Sequence, residues 1–108
     1  MQIALFKDIL PTLKDASEIQ RLDIVDQQGT MIDSIENVPG KSGSVSVYHH
    51  VSADSGRLNP ATAEEALQLY AEHTADAQQH PGKHPNIDRL FHIIKNNLTY
   101  QVKIINKP

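Results

Sequence analysis

No cysteine occurs among the 108 residues, which removes disulfides, thiolate metal ligands and cysteine nucleophiles together and leaves a small core to hold the fold unaided. A reducing, cytoplasmic setting is the expectation. Aromatic side chains are also scarce: two Phe, three Tyr and no Trp, too few to stack a run of bases. With a formal net charge of -3 there is no overall electrostatic footprint for a phosphate backbone, so nucleic acid is not an expected partner, although a local basic patch is compatible with that balance. Long apolar runs are missing. The stretch holding Ile3, Ala4, Leu5 and Phe6 is broken by Lys7 and Asp8 before it reaches the length of a signal peptide or membrane span, so neither export nor a membrane partner is expected. No internal repeat or low-complexity tract is found.

What remains is ordinary for a globular chain, at 39% hydrophobic and 21% charged residues. The length suits one domain, residues 1–108. Phe6, Ile9, Leu10 and Leu13 fall at helical spacing, with Pro11 placed to end or kink the helix. Leu22 and Ile24 alternate with polar neighbours, Asp26-Gln27-Gln28-Gly29 supplies turn chemistry, and Met31 and Ile32 resume the apolar pattern, so residues 19–37 read as a β-hairpin. Residues 44–53 admit two readings. As a strand they place Val45, Val47, His49 and Val51 on one face, with His49 a hydrogen-bonded core histidine. As a helix they end towards Gly56 and Leu58.

Asn59-Pro60 is a helix start, and Ala63, Ala66, Leu67, Tyr70 and Ala77 give that helix an apolar face running to about Gln79. A second helix begins near Asn86, with Ile87, Leu90, Phe91, Ile94 and Leu98 in one stripe. It leaves through Asn96-Asn97 into a strand in which Tyr100, Val102 and Ile104 alternate with polar residues. The expected fold class is therefore α+β: a single domain with a three- or four-stranded antiparallel sheet and helices packed on one face.

Residues 73–92 invite a chemical reading. On one continuous helix Leu69, His73, Asp76 and His80 form a stripe, and two imidazoles and a carboxylate, completed by His84, Asp88 or His92, are a ligand set for zinc or another divalent metal. The spacing differs from H-E-x-x-H, since Glu72 precedes His73 and no glutamate follows it. The plainer reading makes His80-Pro81-Gly82-Lys83 a type II turn. His73 and His80 then occupy the last turns of the first helix, and Asp88 and His92 form an i, i+4 surface pair. His49 and His50, being adjacent, diverge on either a strand or a helix and do not chelate one ion together.

Gly40-Lys41-Ser42 resembles the end of a phosphate-binding loop, but Ile35 stands where that motif needs glycine. A generic turn whose amides could hold a small anion is the better reading. No G-x-S-x-G elbow occurs, and Glu64-Glu65 reads as a solvated helix start.

The loop Pro39-Gly40-Lys41, the segment Leu69-Tyr70-Ala71-Glu72-His73-Thr74 and the run Pro81-Gly82-Lys83-His84-Pro85-Asn86-Ile87-Asp88-Arg89-Leu90 resemble a small bacterial family, domain of unknown function 2322. The resemblance covers nearly the whole chain. It implies a bacterial intracellular protein with no established activity, and a helix over residues 44–53. It supplies no catalytic residues. The functional expectation is a non-enzymatic accessory or interaction domain with a protein partner and no cofactor, monomeric or homodimeric. The alternative is a metal-binding protein or metal-dependent hydrolase using His73, Asp76, His80 and His84.

Overall fold

In the computed structural model, which describes residues 4–108, the chain is an α+β domain built on one antiparallel sheet. Met1 to Ile3, at the head of the apolar N-terminal run, lie outside the described residues. Helix α1 (Phe6–Ile9) is a single turn followed by a 3-10 turn at Leu10–Thr12 that carries Pro11, where the ring ends regular α geometry. Strands β1 (Ile19–Val25) and β2 (Met31–Glu36) form the expected hairpin. Its turn is closed by Asp26 Oδ1, which accepts from the amides of Gln28 and Thr30, and by Gly29 at φ 85°.

Residues 44–53 are helical, as the resemblance implies: α2 spans Ser42–Ser52. The strand reading fails because Tyr48 is wholly buried together with Val45 and Val51, three residues to either side, a set that only a helix brings to one face. After left-handed Gly56 comes a short strand, β3 (Arg57–Leu58), and then α3 (Pro60–Leu69). Asn59 caps α3 reciprocally: its side chain accepts from the Thr62 amide at 3.0 Å while its own amide donates to Thr62 Oγ1 at 2.8 Å.

The helix from Asn59 does not continue to Gln79. It breaks at Ala71, whose φ of 54° and ψ of -120° are foreign to a helix, and α4 (Glu72–Gln79) starts anew. Two side-chain contacts brace the break. Thr74 Oγ1 donates to the Leu67 carbonyl at 2.5 Å, and Glu72 Oε1 accepts from the Phe6 amide at 2.7 Å. Helix α5 (Pro85–Asn96) buries Ile87, Leu90 and Ile93. It ends at left-handed Asn97, with the Leu98 amide bonded back to the Ile93 carbonyl at 3.0 Å, and leads into β4 (Tyr100–Asn106).

The strand order is β2-β1-β4-β3. Register sets Leu22 beside Ile35 and Ile24 beside Val102, and these join Val45, Tyr48, Leu58, Ala66 and Leu90 in one core between sheet and helices. On the opposite face Asp23 accepts from Arg21 Nε at 3.1 Å and Ser34 Oγ at 2.9 Å. Asp33 pairs with Ile24, so it lies on the helix-covered face, and this brings its carboxylate to the site described below.

An L-residue at the Ala71 dihedrals is strained by about 1–3 kcal/mol, part of which glycine relieves despite its larger unfolded entropy. Ala71→Gly is therefore expected to stabilise the fold by about 1 kcal/mol, seen as a higher urea midpoint. An unchanged or lower midpoint would show that no strain resides there.

Candidate functional site

The break at Ala71 and the turn after α4 fold residues 70–87 against the start of α2, and an open cleft of about 630 Å³ lies between them. That volume is in the range of small-ligand sites. One wall is a row of rings. Phe6 stacks on Tyr70 with centroids 5.7 Å apart and meets the His73 edge at 5.1 Å, and His73 lies 5.7 Å from His84. The row fits because Gly43 has no side chain: a Cβ there would stand 3.0 Å from Phe6 Cε2.

The facing wall is the loop entering α2. Gly40 turns it at φ 91°. Lys41 is exposed and makes no ion pair among the described residues. No side chain caps α2, and the amides of Gly43 and Ser44 have no acceptor among the described residues. Tyr70 donates to Ser44 Oγ at 2.7 Å, with burial pushing its phenol up. Deeper, Arg89 donates to the Tyr48 hydroxyl at 3.0 Å, to Asn86 Oδ1 at 3.0 Å and to Asp33, whose carboxylate lines the cleft.

The third wall is the segment the sequence singles out. The turn forms as its chemistry requires: Gly82 is at φ 93° and the Lys83 amide donates to the His80 carbonyl at 3.1 Å. It wraps round Asp76. Asp76 Oδ2 receives His84 Nε2 at 2.6 Å and Lys83 Nζ at 3.0 Å, while His80 Nε2 stands 3.8 Å from Oδ1. The hydrogen bonds from His84 and then Lys83 hold the Asp76 carboxyl down to about 2.

The stripe running from Leu69 to His80 does not exist as a single helix face, because Ala71 interrupts it, and His73 falls in the first turn of α4 rather than its last. His73, Asp76 and His84 do come together. Lys83 and His84 both stand on Asp76 Oδ2, and no group of three or more His, Cys, Asp or Glu that could hold a metal ion is found among the described residues. The Asp88–His92 pair is replaced by two local contacts. Asp88 Oδ2 accepts from the Gly82 amide at 2.9 Å, which ties the turn to α5, and His92 Nδ1 meets Asn96 Nδ2 at 3.0 Å. His49, with residues 44–53 helical, is no hydrogen-bonded core histidine: its Nδ1 is buried without a partner among the described residues. Desolvation lowers its pKa, with Lys14 and His50 adding to the effect and Asp15 opposing it.

Over residues 6–104 the sequence matches a family described as an uncharacterised protein conserved in bacteria, DUF2322. The chain belongs to that family. No curated protein and no solved structure matches it. The DUF2322 match spans all three walls of the cleft, from Phe6 to Ile87. No helix among the described residues is long and apolar enough to cross a membrane.

The Asp76 contacts carry a pH signature. Its folded-state pKa lies below the unfolded carboxylate value, so its contribution to stability is complete above about pH 5 and fades as pH falls towards about 2. The stability difference between wild type and Asp76→Asn should be constant near neutrality and close over that acid window in paired urea titrations. A difference that persists at pH 2 would rule out the ionised carboxylate as its source.

Proposed function

We propose that this domain is an accessory binding protein rather than an enzyme, and that its cleft grips an anionic group carried by a small molecule or by a partner protein's acidic segment. One observation supports the reading above others. In a chain of net charge -3, the rim of this cleft gathers unpaired Lys41, the free amides of Gly43 and Ser44, and Lys83. Helix-start amides and a nearby lysine are complementary to a carboxylate or phosphate. The binding reading is favoured by where the cleft imidazole is committed, since His84 is bonded to the Asp76 carboxylate rather than to a hydroxyl.

Amide chemical shifts followed during titration with inorganic phosphate, and separately with a short polyglutamate peptide, test this. Shifts should group on Lys41, Gly43, Ser44 and Lys83, and Lys41→Gln should weaken binding about tenfold, roughly 1.4 kcal/mol. Phosphate binding alone identifies a small-molecule site, and preference for the peptide identifies a protein partner. Scattered or absent shifts with both would overturn the proposal.

A further inference from the structure

We infer that His84 reads a hydrogen-bond donor on the ligand, so that the cleft selects organic anions that also carry a hydroxyl or N–H group. This deepens the anion reading above and rests on it.

The argument begins at Asp76. An ionised carboxylate only accepts hydrogen bonds, so the 2.6 Å contact with His84 requires the proton to be on Nε2. In the neutral ring Nδ1 then keeps its lone pair. That atom has no hydrogen-bond partner among the described residues, and it is not among the buried unpaired atoms either. It is therefore not fully buried, and the ring to which it belongs lines the cleft with 24% of its side chain exposed. The ring is also held from other directions. His73 packs 5.7 Å away at 50°, and Pro85 restricts the His84 backbone, which stands at φ -124° and ψ 79°. Lys83, the other charged group on Asp76, is tied to the same oxygen. An acceptor with its tautomer and orientation set in advance loses little freedom when a donor arrives, which favours ligands that supply one.

The anionic end of such a ligand belongs at Lys41 and the Gly43 and Ser44 amides, and its donor belongs at His84. Hydroxylated phosphate esters and hydroxy acids have both groups in one small molecule. An alkyl phosphate such as propyl phosphate has no hydroxyl or N–H on its organic part and satisfies only the first contact.

Two measurements decide the matter. Long-range nitrogen–proton correlation spectra of the wild-type full chain at neutral pH should show His84 as the neutral Nε2–H tautomer. An Nδ1–H tautomer or a doubly protonated ring would overturn the inference without any ligand. Glycerol phosphate should then bind about fivefold more tightly than propyl phosphate, which lacks the hydroxyls. Asp76→Asn, which unlocks the tautomer and releases Lys83, and His84→Phe, which removes the acceptor, should each erase that preference, read as the ratio of the two ester affinities within each variant. If both esters bind wild type equally, the donor-reading role falls and the anion site stands. If neither binds, the anion reading falls and this inference with it.

Discussion

Arg89 is the group around which the cleft is organised. Its side chain is 11% exposed, and a cation so far removed from water persists only when it is paired and fully hydrogen-bonded. Three acceptors meet it: the Asp33 carboxylate from β2, the Tyr48 hydroxyl from α2 and the Asn86 side chain from its own helix. The Tyr48 ring lies 5.8 Å from the guanidinium. Tyr48 in turn donates its proton to the Asn86 carbonyl at 2.5 Å, which leaves its lone pairs to receive Arg89. Burial pushes that phenol up to about 12, outweighing the opposing pull of Arg89, so Tyr48 stays a neutral hydroxyl. These bonds join residues 41 and 56 positions apart. They lock β2, α2 and α5 together, and each of the three also lines the cleft. Asp33 is 48% exposed, so solvent screens its pair with Arg89, and the part-buried Tyr48 and Asn86 contacts are the ones whose loss leaves the guanidinium short of a partner away from water. The cleft is thus a rigid consequence of the core.

The second polar centre, Asp76, works differently. It is one-third exposed, as are its lysine and His80 partners to a greater degree, so its ion pairs are screened and add little to stability. Their effect is positional. Asp76 fixes the orientation of His84 and draws Lys83 to the rim, while Asp88 holds the turn from below through the Gly82 amide. One centre supplies the walls and the other aims the side chains.

Elements governed by local chemistry were legible in the sequence: the hairpin turn at Asp26, the Asn59-Pro60 start, the α5 stripe with its Asn97 exit and the His80-Pro81-Gly82-Lys83 turn. Each depends on residues within four positions of one another. The helix at residues 44–53 was ambiguous because Val45, Val47 and Val51 satisfy strand periodicity, and only the burial of Tyr48 among them decides it. Nothing local announces the break at Ala71. Neither glycine nor proline marks it, and one of its braces, Glu72 on the Phe6 amide, spans 66 positions. The site was half visible for the same reason. His73, Asp76, His80, His84 and Lys41 carry recognisable chemistry, whereas Asp33, Tyr48 and Arg89 matter only through contacts that the fold creates. Arg89 lies opposite the Ile87, Leu90, Phe91, Ile94 and Leu98 stripe on a regular helix, so no clue in the sequence marks it as buried, and only the packing of Ile93 against the core reveals it.

The way the cations of the cleft are committed sets what it can bind. Arg89 is spent on Asp33 and Lys83 on Asp76, so each contributes a neutralised pair rather than a free charge. Lys41 is the lysine of the rim without a carboxylate, and it stands beside backbone amides that carry partial charge only. A site with one free cation and a few aimed dipoles attracts a singly or doubly charged group without the strong salt dependence of a polyanion-binding surface. Discrimination must then come from shape and from hydrogen-bond direction, which are the properties that the ring row at Phe6 and the fixed imidazole of His84 supply.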